Sequence, residues 1–218
     1  MIRSFVAATV FVCAAGLGAG FAEARDYTVA LTYAPPASIE QGAPTIMLTS
    51  VRDSRDSNHH HYELGSIRGG YGNPLKTLVT EQAVAMVVAQ AIRDALTVRN
   101  LGAESGAHRL EVRITRFDCN QLYPREAHIE LSFRLLDATT GAVPYENTAR
   151  GNQASGGAGG GIFAPVEPLR ALTNQVMNDG IDRMLDDPAF RAVLASAAAE
   201  IPPATPSAEV PPETPATP

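Results

Sequence analysis

The chain is poor in cysteine, in basic runs and in long apolar stretches, and each shortage narrows what it can be. Of its two cysteines, Cys13 lies in the N-terminal apolar stretch, so loss of that stretch leaves Cys119 alone. One thiol closes no internal disulfide, and the ordinary role of such a residue is a small buried hydrophobe. Lys and Arg number 17 against 23 Asp and Glu, a formal net charge of −6, and no basic cluster is present. That balance argues against nucleic acid as a partner. Beyond the N-terminus no apolar run approaches the ~18 residues that span a bilayer. Catalytic signatures are missing too. The glycine run at 156–161 (GGAGGG) has neither GxGxxG spacing nor a following Gly-Lys-Ser/Thr. Ser155 sits in no G-x-S-x-G elbow. No cofactor and no metal site is implied, and no internal repeat is found.

What is present begins with a leader. Met1-Ile2-Arg3 is a positive start, Ser4 to Ala22 is apolar and small, and Ala22-Glu23-Ala24 fits the small-x-small cleavage rule. Residues 1–24 read as a signal peptide with a mature start at Arg25; an uncleaved membrane anchor is the competing reading. Cys13 raises a third, lipidation, but Val10-Phe11-Val12 stands where a lipobox places a small residue. Residues 200–218 are mostly Pro, Ala, Thr and Glu and read as a disordered tail. Residues 25–199 suffice for one domain.

Within that domain the organising element is a helix over Glu81 to Arg99. Val84, Val88, Ala91, Ile92, Ala95 and Leu96 recur at three-and-four spacing and share one face. Thr80 is the expected N-cap, and Asn100 before Leu101-Gly102 is the expected left-handed stop. Tyr27 to Tyr33, Thr45 to Val51 and Tyr62 to Arg68 read as strands. The bend Gly69 to Pro74 leads toward the helix. After it, Arg109 to Thr115 and Glu126 to Leu135 alternate, with Leu110, Val112, Ile114 and then Ile129, Leu131, Phe133 on their apolar faces. Phe117 and Cys119 have the opposite parity, which calls for a bulge near Arg116. Val143 to Ala149 is a weaker strand. Leu169, Leu172, Val176 and Ile181 place a second amphipathic helix over Glu167 to Leu185. Asp187-Pro188 starts a short third one in the preferred cap and first-position order. One-sided strands and helices in this order predict an α+β two-layer sandwich: a mainly antiparallel sheet with two amphipathic helices on one face.

Side chains that could carry chemistry are few. His59-His60-His61 forms a loop tip where a metal would lack fixed geometry. Asp53, Arg55 and Asp56 could be an acid pair with a clamp; the simpler reading is that Arg55 with Asp53 locks the loop to the sheet. Gly156 and Gly159 belong to a flexible connection that could face a partner. His108 and His128 have no nucleophile beside them in the sequence.

The strand ending Val51-Arg52-Asp53-Ser54-Arg55, then Gly65-Ser66-Ile67-Arg68 and Gly69-Gly70-Tyr71-Gly72, precede the helix that closes Ala95-Leu96 and Asn100-Leu101-Gly102. The strand pair Leu110–Phe117 and Ala127–Leu135, with Asp137 and Thr140-Gly141 after it, completes a pattern over roughly 44–185. It resembles the YajG-like family of bacterial envelope lipoproteins and, more loosely, the auxiliary lipoproteins of envelope lipid transporters. The resemblance implies a small, non-enzymatic α+β domain in the periplasm, near the outer membrane or beside an envelope complex. The chain departs from it at the weak lipobox and the proline-rich tail.

The resulting expectation is an accessory or binding module that meets an envelope protein complex through a sheet edge or the glycine-rich loop. Asp53, Arg55, Tyr71, Gly156 and Gly159 are the candidate interaction residues, and peripheral membrane association is compatible with it. Two alternatives are weighed against this. A carrier of a small apolar ligand or lipid predicts a cavity lined by Val84, Val88, Phe133 and Leu172. A periplasmic hydrolase requires Asp53, Asp56 and the histidines to converge.

Overall fold

A computed structural model describes residues 24–56, 60–156 and 161–199. Residues 1–23, which carry Cys13 and nearly all of the predicted signal peptide, and the predicted tail 200–218 lie outside the described residues, as do His59 and Gly159. Seven strands form one sheet: β1 (Arg25–Thr28), β2 (Ile46–Asp53), β3 (Glu63–Arg68), β4 (Pro74–Val79), β5 (His108–Gln121), β6 (Arg125–Asp137) and β7 (Tyr145–Ser155). Three helices, α1 (Val84–Val98), α2 (Glu167–Leu185) and α3 (Pro188–Ala199), complete the α+β sandwich. The spatial order is β1-β4-β3-β5-β6-β7, with β2 beside β5 off that path.

The sheet is mixed. The meander β5-β6-β7 and the β3–β4 pair are antiparallel, while β1–β4, β2–β5 and β3–β5 are parallel. β5 is long enough to seat two short strands along one edge. β2 pairs from His108 to Ile114 and β3 from Cys119 to Gln121. Between them the expected bulge is present, at the register shift from Ile114 to Arg116. It moves Phe117 and Cys119 onto the buried face already occupied by Leu110, Val112 and Ile114.

That face meets the helices in one hydrophobic core. Val84, Val88, Ile92 and Ala95 of α1 and Leu169, Val176 and Ile181 of α2 are buried with Ile114, Ile129 and Phe133 of the sheet. Burial of each larger aliphatic side chain contributes about 1.5–3 kcal/mol. α2 rides close to the sheet at Gly180, where a Cβ would stand 2.6 Å from Ile129. Gly65 is required for a different reason: its φ is +152°, and a Cβ there would lie 1.8 Å from the Cys119 carbonyl oxygen.

Some local expectations are corrected. Helix α1 starts at Val84, not at Glu81, and its N-cap is Ala83 with no side-chain cap. Thr80 instead donates its hydroxyl to the carbonyls of Tyr62 and Gln82, and the Val84 N–H finds the His61 carbonyl at 2.8 Å. A backbone acceptor has taken the place of the side-chain cap. The stop is as expected: Asn100 has φ 52°. Asp187 accepts N–H bonds from Ala189 and Phe190 at the start of α3. The run Tyr27 to Tyr33 pairs as a strand through Thr28, with one further bond from the Val29 N–H to the Val79 carbonyl; beyond it the chain leaves the sheet, and Thr32 binds Asn174 of α2.

Strand directions define two poles. β3, β5 and β7 end at the upper pole, where β1, β4 and β6 begin. β5 and β7 start at the lower pole, near the end of α2.

Candidate functional site

Asp53 and Arg55 form a lock within the fold. Arg55 is almost fully buried, and its guanidinium grips the Asp53 carboxylate in a bidentate pair, Nη2 to Oδ2 at 2.8 Å. Its Nη1 donates to the Glu63 and Phe117 carbonyls at 2.7 and 2.9 Å. These acceptors lie where β2 has ended and β3 begins along β5, so the arginine satisfies backbone groups that no strand reaches. Burial raises the Asp53 pKa, but the Arg55 hydrogen bonds outweigh it and hold the carboxyl below its usual range. A carboxylate held in this way has no proton to give near neutrality, which makes it a poor general acid.

Of the other candidate groups, His61 stands within electrostatic reach of Asp53, while His108 and His128 stand elsewhere on the sheet. His60 and His61 are exposed, and their backbone carbonyls, rather than their rings, serve Arg55 and Val84. His108 is buried at the foot of β5, and burial lowers its pKa against the opposing charge of Asp137, which favours the neutral ring. His128 bonds Asn152 on the open face of the sheet. Cys119 is buried under α2 and its thiol is pushed up to about 12 by desolvation. Among the described residues no group of three His, Cys, Asp or Glu side chains is placed to hold a metal. The proposed carrier residues Val84, Val88, Phe133 and Leu172 are packed in the core, and the grooves described next have other linings. That packing counts against a lipid held inside the fold.

Concavity lies instead between α1 and β2, which run antiparallel. Two adjoining hollows of about 610 and 490 Å³ share Leu48 and Arg93 and extend from Gln82 and Arg52 to Asn100 and Gly102. Leu48, Val51, Ala85 and Met86 supply apolar surface; Arg52, Gln90 and Arg93 supply the polar rim. β2 pairs with β5 on one side, and among the described residues only Ile46, bridging Gly102, meets another segment on the other. No compositional signal marked this groove, since Met47 to Arg52 looks like any half-buried strand.

Tyr71 and Gly156 both lie at the upper pole, with the ends of β5 and β6 between them. The β3–β4 turn carries Tyr71, which is fully exposed. The β5–β6 hairpin carries Tyr123, before a cis Pro124, and the segment after β7 carries Ile162 and Phe163, all exposed. Arg68 bonds Asn120, Arg125 bonds Gln121 and Ser155, and Lys76 donates to the Ala164 carbonyl, so the three loops are tied together at their bases. Asp53 and Arg55 lie apart from them, at mid-sheet opposite Ile114. Tyr123 and Phe163 were not singled out in the sequence, because a lone aromatic among loop residues carries no pattern.

No protein-family model and no curated protein matches the chain. Solved structures do share its fold. Protein XCC0632 from Xanthomonas campestris, described under family DUF330, superposes with a TM-score of 0.57 at 13% identity, over 80% of this chain and 98% of that one. An uncharacterized protein gives 0.50 at 9% identity, over 78% and 99%. A minor lipoprotein from Acinetobacter baumannii gives 0.37 at 7% identity, over 67% and 93%. At these identities the likeness is one of fold.

Proposed function

We propose that the protein is a non-enzymatic accessory module of the bacterial cell envelope that takes an extended segment of a partner protein into the α1–β2 groove. The open edge of β2 carries this reading. From Met47 to Asp53 it has no second partner strand among the described residues, and α1 runs alongside it. A strand added there would gain main-chain hydrogen bonds, with side-chain pockets setting its identity. Leu48, Val51 and Met86 suit apolar side chains, and Arg52 and Arg93 suit an acidic one. The leader sequence supports export to the periplasm. The motif resemblance to YajG-like lipoproteins supports a place near the outer membrane and an envelope complex as the source of the segment.

The test is photo-crosslinking in intact envelopes from a reporter replacing Met86, with a second reporter replacing Glu146 on the far edge strand. A discrete protein adduct is expected from position 86 and not from 146, and Ala85→Arg, which fills the groove, should abolish it. The same adducts from both positions, or an adduct indifferent to Ala85→Arg, would overturn the reading.

A further inference from the structure

The geometry points to the upper pole as a membrane-docking surface that seats on the headgroups of anionic phospholipid. This inference is independent of the groove. Tyr71, Tyr123, Ile162 and Phe163 are 102%, 74%, 65% and 96% exposed, and Leu122 beside them is 38% exposed. These are five of the nine large hydrophobic residues exposed among the described residues, gathered at one end of the molecule. Such clustering marks a contact surface, whereas scattered apolar residues do not. Tyrosine and phenylalanine on loop tips match the aromatic residues that occupy the headgroup level of a bilayer.

Charge and chain direction select the bilayer as the occupant. The protein carries a net charge of −6, yet Arg25, Arg68, Lys76 and Arg125 stand at this pole, none in an ion pair among the described residues. Arg25 and Lys76 both lie 5.5 Å from the Tyr27 ring, one register step behind the exposed loops. The acidic side chains nearby are Asp26, Glu126 and Glu167, the last held by Arg170. The polypeptide also enters the domain here, since Arg25 opens β1 opposite Lys76. In the sequence the apolar residues 4–22 come shortly before Arg25. Where that stretch is retained as a membrane anchor rather than cleaved, it would hold this pole toward the bilayer.

The chain contains no tryptophan, so one introduced residue reports its own surroundings. Full-length protein with Phe163→Trp or Tyr71→Trp, and a lower-pole control with Val143→Trp, would be mixed with vesicles. One set contains phosphatidylcholine with brominated phosphatidylglycerol, and the other brominated phosphatidylcholine alone. The expected result is blue-shifted, quenched emission from positions 163 and 71 with the anionic vesicles and little change from 143. Arg25→Gln and Arg68→Gln should each weaken anionic-vesicle binding roughly fivefold. Unchanged emission at 163 with anionic vesicles, or equal quenching at 143, would overturn the proposal. Binding that is equally strong to the two vesicle types would overturn its anionic part.

Discussion

The two poles of the sheet treat aromatic and charged residues in opposite ways. At the lower pole Phe133, Tyr145 and Phe190 form a packed trio with ring centroids 5.8–5.9 Å apart. Beside it the fully buried Arg99 is clamped by Asp182 and Asp186, with the Tyr33 hydroxyl as a further partner. At the upper pole Tyr71, Tyr123 and Phe163 are exposed, and Arg25, Arg68, Lys76 and Arg125 have no carboxylate partner among the described residues. Rings stabilise the fold when they are covered and hinder solubility when they are not. The lower pole therefore contributes to the stability of the fold, whereas the upper one leaves its rings uncovered.

Substitutions should separate the two ends sharply. Phe190→Ala, at the centre of the trio, should cost about 3–5 kcal/mol in urea unfolding, whereas a cost below 1 kcal/mol would deny the lower pole its structural role. Next, Asp182→Asn combined with Asp186→Asn leaves a buried guanidinium without its carboxylates. The expected loss is about 3 kcal/mol, at the low end for an unpaired buried charge because the Tyr33 hydroxyl remains. An unchanged unfolding midpoint would show that Arg99 is rehydrated by local opening.

The same cluster should shape the pH profile from both sides. Burial raises the Asp186 pKa, but the hydrogen bonds from Arg99 and Arg191 outweigh it and leave it lowered. Its contribution is present above the unfolded carboxyl range, near pH 4, and is lost as pH falls. Tyr33 moves the other way, from 10.0 to about 12, through burial and its bond to Asp182. Its contribution is full below pH 10.0 and is lost as pH rises toward 12. Thermal melting across pH should fall off at both ends, and Tyr33→Phe should flatten the alkaline limb alone. The smallest effects belong to the upper pole. Phe163→Ala and Tyr71→Ala should leave stability within about 0.5 kcal/mol, and a larger loss in either would mean that the loop packs inward.

Much of the architecture was legible in the sequence, for reasons that can be named. Periodicity is local, so the faces of α1 and α2, the alternation of β5 and β6, and the bulge near Arg116 could all be read from neighbouring residues. β4 was not. It opens on Pro74 and places Lys76 and Thr77 mid-strand, so it resembles the turn before it. The parallel pairings were hidden as well, because which strand lies beside which is decided by contacts between distant segments. Arg55 shows the same boundary. Its pairing with Asp53 is a matter of two residues, but its bonds to Glu63 and Phe117 depend on the gap between β2 and β3. The upper loops lay beyond reach entirely, since Tyr71, Tyr123 and Phe163 become neighbours only once the strand ends are aligned.

The division of β5 between two edge partners bears on the order in which the molecule can assemble. β5, β6 and β7 follow one another through short connections, whereas β2 reaches β5 across roughly sixty residues of chain. Closing the shorter loops costs less entropy, so the three-stranded meander is expected to form ahead of the β2–β5 pairing. β2 and β3 would then be late additions along one side of a finished template. Slowest amide exchange is accordingly expected in β5 and β6, and earlier opening in β2, whose far edge beyond Ile46 has no partner strand among the described residues.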